Sequence, residues 1–304
     1  MDITNVKQLK VNNLNRILTS LLSMGRGTKM DLANYTNLSN STLSESINKL
    51  CEINVVRANG VEESIGGRCP SIYSINAEYG CFIGLCIDKN GVEANVVDFC
   101  GNVLKNYELL PLESKPMIIL VYETIEKILH EFSCKNMLGI GFSATGKIDY
   151  HSGVISTSSE INWHNVHLKE LVERKFFLPT YIDHKMNNAT LFESLLGNAV
   201  GLKNFMFLCD FYKNKVGIYS DGKILRGECN LAGTMRDIEA DQEMLENIRS
   251  FLSLETILYG YNSTKEVFDK KPHIKLVEIK DGYFPRAAAL MAEKNWFESV
   301  YFQM

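Results

Sequence analysis

The stretch Gly66-Gly67-Arg68-Cys69-Pro70-Ser71-Ile72-Tyr73-Ser74-Ile75-Asn76 divides the chain into two parts of different character. Before it, residues 1–76 read as three helices closed by a two-stranded wing. After it, from Cys81, apolar strands alternate with helices over the rest of the 304 residues. That length exceeds what one core usually holds, so separate domains are expected. A small helical head on a large α/β body suggests one part that grips and another that senses.

Upstream, Leu14, Ile17, Leu18, Leu21 and Leu22 recur at the spacing of a helix packed on one face. Gly25-Arg26-Gly27 breaks that helix. Thr28-Lys29-Met30-Asp31 then has the pattern of a capping box, opening a short second helix over 29–35. Ser39 is a good N-cap for a third helix running to about Glu52. Leu43, Ile47 and Leu50 form its inner face, so Asn40, Ser41, Thr42, Ser44, Glu45, Asn48 and Lys49 face outward. Two helices joined by a short turn, the second beginning in small polar residues, make a helix-turn-helix. Short hydroxyl and amide side chains let the backbone approach DNA and reach phosphates or base edges. Residues 53–57 and 71–75 alternate as wing strands, and the loop between them ends in Gly66-Gly67-Arg68. Glycine permits close backbone approach, and an Arg at such a tip can enter a minor groove. The DNA-contacting set is therefore Ser39, Asn40, Ser41, Thr42, Ser44, Asn48, Lys49, Gly66, Gly67 and Arg68. Glu45, Glu62 and Glu63 run against phosphate contact, and a plain helical hairpin with a solvated polar face is the competing reading.

The charge is divided in the same way. Residues 1–76 carry eight Lys/Arg against six Asp/Glu, whereas the remainder carries 24 against 30. No apolar run reaches the ~20 residues of a membrane span, and the N-terminus lacks a secretory pattern. A cytoplasmic protein with no membrane partner is expected. The eight cysteines are scattered without a Cys-x-x-Cys, and His164-x-x-His167 has no third ligand nearby in sequence. Reduced thiols and no metal follow.

In the body, strands are expected at 81–87 and 92–97, with a turn at Cys100-Gly101-Asn102, a helix at 117–131 and a strand at 137–142. A second unit is expected from strands at 205–209, 215–220 and 223–225, a helix at 242–251, strands at 256–259 and 274–278, and a helix at 284–294. Two related halves bracketing a cleft are the expected architecture. Several stretches carry a family likeness in their order: Gly139-Ile140-Gly141-Phe142-Ser143-Ala144-Thr145-Gly146-Lys147-Ile148-Asp149, then Trp163-His164-Asn165, then Asn187 with Ala189 and Glu193, then Asp221-Gly222-Lys223-Ile224-Leu225-Arg226-Gly227, and Leu231-Ala232-Gly233. With the head in front, the chain resembles the ROK family (repressors, open reading frames and sugar kinases), in its NagC/XylR-type transcriptional regulator branch.

The resemblance implies an α/β protein with an N-terminal winged helix-turn-helix domain, 1–76, and an actin-like, ribonuclease-H-like two-lobed body, 77–304. The lobes are expected at about 77–195 and 196–304. The departures bear on function. Lys185 stands where kinases of this family place the aspartate that acts as general base, and an ammonium cannot accept the sugar proton. The first phosphate loop reads Cys86-Ile87-Asp88-Lys89-Asn90 and the second Phe211-Tyr212-Lys213-Asn214-Lys215, without the glycines that let backbone N–H groups cradle phosphates. The Ala-Gly-Glu-x-Gly-His run becomes Ala232-Gly233-Thr234-Met235-Arg236-Asp237, losing a sugar-binding Glu and a zinc His. The zinc cysteines of the family are absent as well. Glu160 sits where an Asn precedes the Trp of the family.

These losses predict a non-catalytic body with no cofactor. Its role would be dimerisation, with effector sensing in a remodelled cleft as a further role. Glu160, Lys185, Asn187, Thr234 and Asp237 are the candidate ligand residues, for a sugar-derived or charged effector rather than a plain hexose. The leading function is a repressor bound to a double-stranded operator as a homodimer and linked to carbohydrate metabolism. The alternatives are a sugar kinase with an appended head and a protein–protein interaction module.

Overall fold

The computed structural model describes residues 3–61, 70–111, 115–209, 211–234, 242–261 and 273–299. Helix α1 (Ile3–Met24) buries Val11, Leu14, Ile17, Leu18, Leu21 and Leu22 along one stripe. Gly25, at φ 74°, turns the chain out of the helix. The next residues do more than break it: Arg26–Thr28 form a strand, β1. Helix α2 (Lys29–Thr36) follows, with the capping box closed as expected: Thr28 Oγ1 accepts from the Asp31 N–H, and the Asp31 carboxylate accepts from the Thr28 N–H at 2.8 Å. Helix α3 (Asn40–Glu52) starts at the Ser39 N-cap and buries Leu43, Ile47 and Leu50.

The wing differs from the expected pair of strands. Strands β2 (Val56–Val61) and β3 (Ser71–Ile75) are joined by β1 in a three-stranded sheet of order β1-β3-β2. Backbone pairing of Arg26–Thr28 with β3 is a tertiary event that no local pattern announces. The strand expected from residue 53 begins at Val56, because a left-handed Asn54 returns the chain and the Val55 N–H bonds to the Leu50 carbonyl at 2.9 Å. The Gly66-Gly67-Arg68 tip lies outside the described residues.

The body follows the expected alternation. Strands β4 (Cys81–Asp88), β5 (Gly91–Asp98) and β6 (Val103–Pro111), helix α4 (Met117–Glu131) and strand β7 (Met137–Ala144) come first. The small antiparallel sheet β8 (Lys147–Asp149), β9 (Val154–Ser158) and β10 (Trp163–Val166) follows, then helix α5 (Leu168–Phe176), strand β11 (Thr180–His184) and helix α6 (Lys185–Leu195). The second unit holds β12 (Phe205–Cys209), β13 (Tyr212–Ser220), β14 (Lys223–Ile224), α7 (Gln242–Phe251), β15 (Thr256–Tyr261), β16 (Ile274–Glu278) and α8 (Tyr283–Ser299). The two large sheets have orders β11-β7-β4-β5-β6 and β14-β13-β12-β15-β16. Each opens with antiparallel strands and adds parallel ones, the duplicated plan of an actin-like body.

Helix α8 crosses back to the first sheet, so the lobes expected at about 77–195 and 196–304 share it. It lies so close to that sheet that a Cβ on Gly84 or Gly141 would meet the Pro285 or Ala288 carbonyl oxygen at 1.9 Å. Only glycine fits there. Head and body are also continuous: Leu14, Leu18, Leu21 and Leu43 share one apolar cluster with Phe82, Phe99, Leu191, Leu195, Trp296 and Phe297. Each such side chain contributes about 1.5–3 kcal/mol on burial, so the head is seated firmly. Among the described residues no helix is long and apolar enough to cross a membrane.

Candidate functional site

On the head, the inner stripe of α3 orients the outer one. Ser39, Asn40, Ser41 and Asn48 are exposed, while Thr42, Ser44 and Lys49 are half-buried. The partial burial has identifiable causes. Thr42 Oγ1 lies 2.9 Å from the capping Ser39 Oγ, and Ser44 Oγ accepts from Lys29 Nζ at 3.3 Å. Lys29, on α2, thus brings a cation to the face of α3, which the sequence reading did not anticipate. Glu45 is no longer an isolated obstacle to phosphate: Lys49 Nζ donates to it at 2.9 Å. Lys49, with Lys10 also near, holds the Glu45 carboxyl below the usual carboxylate range.

In the body, all of α6 is buried, and its N-terminal turn carries the candidate residues Lys185 and Asn187. The Lys185 ammonium lies 4.1 Å from the centre of the Tyr212 ring, 5.4 Å from that of Phe284, and 3.5 Å from Asp88 Oδ2. Asp88 and Tyr212 belong to the two segments that the family resemblance sets at the phosphate loops. An internal cation thus lies beside two aromatic rings and a carboxylate. Tyr212 also places its hydroxyl 3.1 Å from His184 Nε2. Burial, aided by Lys215 and Lys185, keeps His184 well below its ordinary pKa, hence a neutral ring. Burial raises the Tyr212 hydroxyl and the Cys86 thiol, and nearby Glu160 adds to both shifts.

Beside this lies a second network, centred on Asp183, which is 1% exposed. Its Oδ1 accepts from Asn187 Nδ2 and Asn230 Nδ2 at 2.8 Å and from the His184 N–H at 2.7 Å. Its Oδ2 accepts from Arg226 Nε at 3.1 Å and Nη2 at 2.9 Å. Asn230 Oδ1 in turn accepts from Asn187 at 2.8 Å, and its backbone carbonyl accepts from Lys215 Nζ at 2.5 Å. Burial lowers the Lys215 ammonium to about 8. Asn187 Oδ1 is buried and meets no donor among the described residues.

Of the five candidate ligand residues, Lys185 and Asn187 share the buried first turn of α6, each in its own network, and Glu160 is half-buried. Thr234 is exposed, and its backbone bridges to Lys215. Asp237, like Arg236, lies outside the described residues. Asp183, Arg226, Asn230 and Lys215 were not picked out beforehand, since nothing in their spacing indicates that β11, the 226–230 loop and β13 meet. Among the described residues no group of His, Cys, Asp or Glu could hold a metal ion.

Comparison with known proteins places the chain in a family. The model of the ROK family matches residues 83–246. The chain is 27% identical over 230 residues to the xylose repressor of Caldicellulosiruptor bescii, which covers 74% of this chain and 58% of the relative. It is 24% identical over 248 residues to the xylose repressor of Bacillus subtilis, covering 79% of this chain and 64% of the relative. The chain thus spans less than two thirds of these relatives' length. A solved ROK family transcriptional regulator, a homologue of the Escherichia coli Mlc protein, superposes with a TM-score of 0.71 at 14% identity, over 97% of this chain and 98% of the other. A ROK glucokinase from Streptomyces griseus in complex with glucose and AMPPNP superposes with a TM-score of 0.58 at 14% identity, over 71% of this chain and 100% of the other. That match shares the fold of the body.

Proposed function

This chain belongs to the ROK family, and we propose that within it the chain is a DNA-binding transcriptional repressor whose body carries no catalysis. The observation that carries the reading is the polar outer face of α3, presented by a head whose core is continuous with a ROK body. The xylose repressors and Mlc among its relatives support the same role. The body would hold the head in place, pair two copies and sense an effector of carbohydrate metabolism in the cytoplasm. Pairing suits operator recognition, because half-sites one helical turn apart, about 34–36 Å, match a two-fold protein.

Selection of bound fragments from random double-stranded DNA tests this. An enriched two-fold symmetric sequence is the expected outcome, and recovery no better than that of unselected DNA would count against it.

A kinase reading is disfavoured by Lys185. It puts an ammonium 3.5 Å from Asp88 and 4.1 Å from the Tyr212 ring centre, at the position where kinases of the family hold a carboxylate base for the sugar hydroxyl. Incubated with ATP-Mg and hexoses or N-acetylhexosamines, the protein is expected to turn over far below the ordinary ~1–10³ s⁻¹. A turnover within that range, measured by product formation, would restore the kinase.

A further inference from the structure

The segment Lys147–His151 and the loop Arg226–Asn230 enclose a cleft of about 420 Å³, separate from the Lys185–Tyr212 contact. Its lining holds three basic side chains, Lys147, His151 and Arg226, and a single acid, Asp149. That acid is already engaged. It accepts from the His151 N–H at 2.9 Å and the Ser152 N–H at 3.3 Å, and the Ser152 hydroxyl with these two groups holds its carboxyl below the usual range.

Arg226 is fixed in place rather than loose. Two of its nitrogens bind Asp183 Oδ2, and its guanidinium lies 3.8 Å from the centre of the Tyr150 ring. Its side chain stays 28% exposed, and Nη1 meets no acceptor among the described residues. Neither does the ammonium of Lys147. A small cleft with surplus donors, one of them a planar fork already oriented, lacks only acceptors.

We propose that this cleft binds a small metabolite through a terminal oxyanion, phosphate or carboxylate, gripped by Arg226 Nη1 and Lys147. The proposal deepens the effector-sensing part of the repressor reading and rests on it for its role, though not for the binding itself. The volume suits a molecule of monosaccharide size. Asp183 already neutralises much of the charge of Arg226, so Lys147 supplies the net attraction. The cleft also adjoins the helix that carries the head: Tyr150 donates to Asn295 Oδ1 of α8 at 2.9 Å, and one turn along that helix Glu298 accepts from Asn15 of α1 at 3.4 Å.

The test is calorimetry on the full chain with glucose 6-phosphate, gluconate, inorganic phosphate and glucose as separate probes. Heat is expected with glucose 6-phosphate or gluconate and not with glucose, and the two organic anions distinguish the phosphate from the carboxylate. Lys147→Glu replaces an exposed side chain, so the fold should be kept, which an unchanged unfolding midpoint checks. Its affinity for the binding anion should fall by about tenfold or more. The proposal is overturned if no organic anion binds at millimolar concentration, if inorganic phosphate alone binds, if glucose binds as tightly, or if Lys147→Glu binds like the wild type. No DNA is present in this assay. A negative result therefore leaves operator binding by the head standing, and a failure of operator binding leaves the anion site standing.

Discussion

Replacing Asp183 by alanine is expected to lower the free energy of unfolding by about 3–5 kcal/mol, the loss typical of removing one partner of a buried ion pair. Five donor contacts converge on this carboxylate, from Arg226 twice, Asn187, Asn230 and the His184 N–H. Alanine leaves a half-buried guanidinium without its counter-ion and the Asn230 amide without an acceptor, and Asn187 keeps only Asn230 Oδ1. Unmet buried donors are worth more than the bonds themselves. Asn187 has no slack to absorb this, since its Oδ1 already lacks a donor. Asp183→Asn keeps the shape and loses the charge, so it should fall between wild type and alanine. Urea unfolding measures both. A loss below about 1 kcal/mol for alanine would mean that the network is decorative.

Replacing Phe99 by alanine should weaken the fold by a similar amount, about 3–5 kcal/mol, and should also loosen the seat of the head. The ring is fully buried, and its centre lies 5.0 Å from Tyr79, 6.0 Å from Phe82, 5.1 Å from Trp296 and 5.7 Å from Phe297. Such aromatic pairs add about 0.5–1.5 kcal/mol beyond their area. The cavity left behind is bordered by α8 and by the strands α8 covers, and neither can move inward. Helix and sheet already touch at Gly84 and Gly141. Phe99→Leu fills most of the space and should lose far less. Unfolding curves read the energy, and faster proteolysis between residues 76 and 80 should report the loosened seat. Equal stabilities for the alanine and leucine variants would contradict this packing account.

Much of the architecture was legible in the chain. Helices at 117–131 and 242–251 and strands at 205–209 and 274–278 were expected at the bounds they take, because their periodicity is strong and their ends are marked. What escaped was non-local. Strand β1 exists only because β3 lies beside it, and α8 belongs to the first sheet although it comes last in the chain. The small β8–β10 sheet had no alternation long enough to announce it. The site divides likewise. Lys185 and the non-glycine loops could be read against the family pattern. The consequence, an ammonium between Tyr212 and Phe284, needed three distant segments to meet. Arg226 was read only as part of the family run and Asn230 not at all, since an Arg-Gly step in a loop and an Asn three residues from the nearest glycine are ordinary surface chemistry.

The central claim is that α3 reads DNA, and a salt titration of a selected fragment against Ser41→Glu tests it most directly. Ser41 is exposed in the first turn of α3, where a carboxylate suits the helix dipole and leaves folding intact. The same carboxylate would face phosphate in the complex. Wild type should bind with an affinity that falls steeply as salt rises, and Ser41→Glu should bind about a hundredfold more weakly at moderate salt. Equal affinity of the two proteins for the selected fragment, or binding indifferent to salt, would show that the head does not engage DNA through this helix.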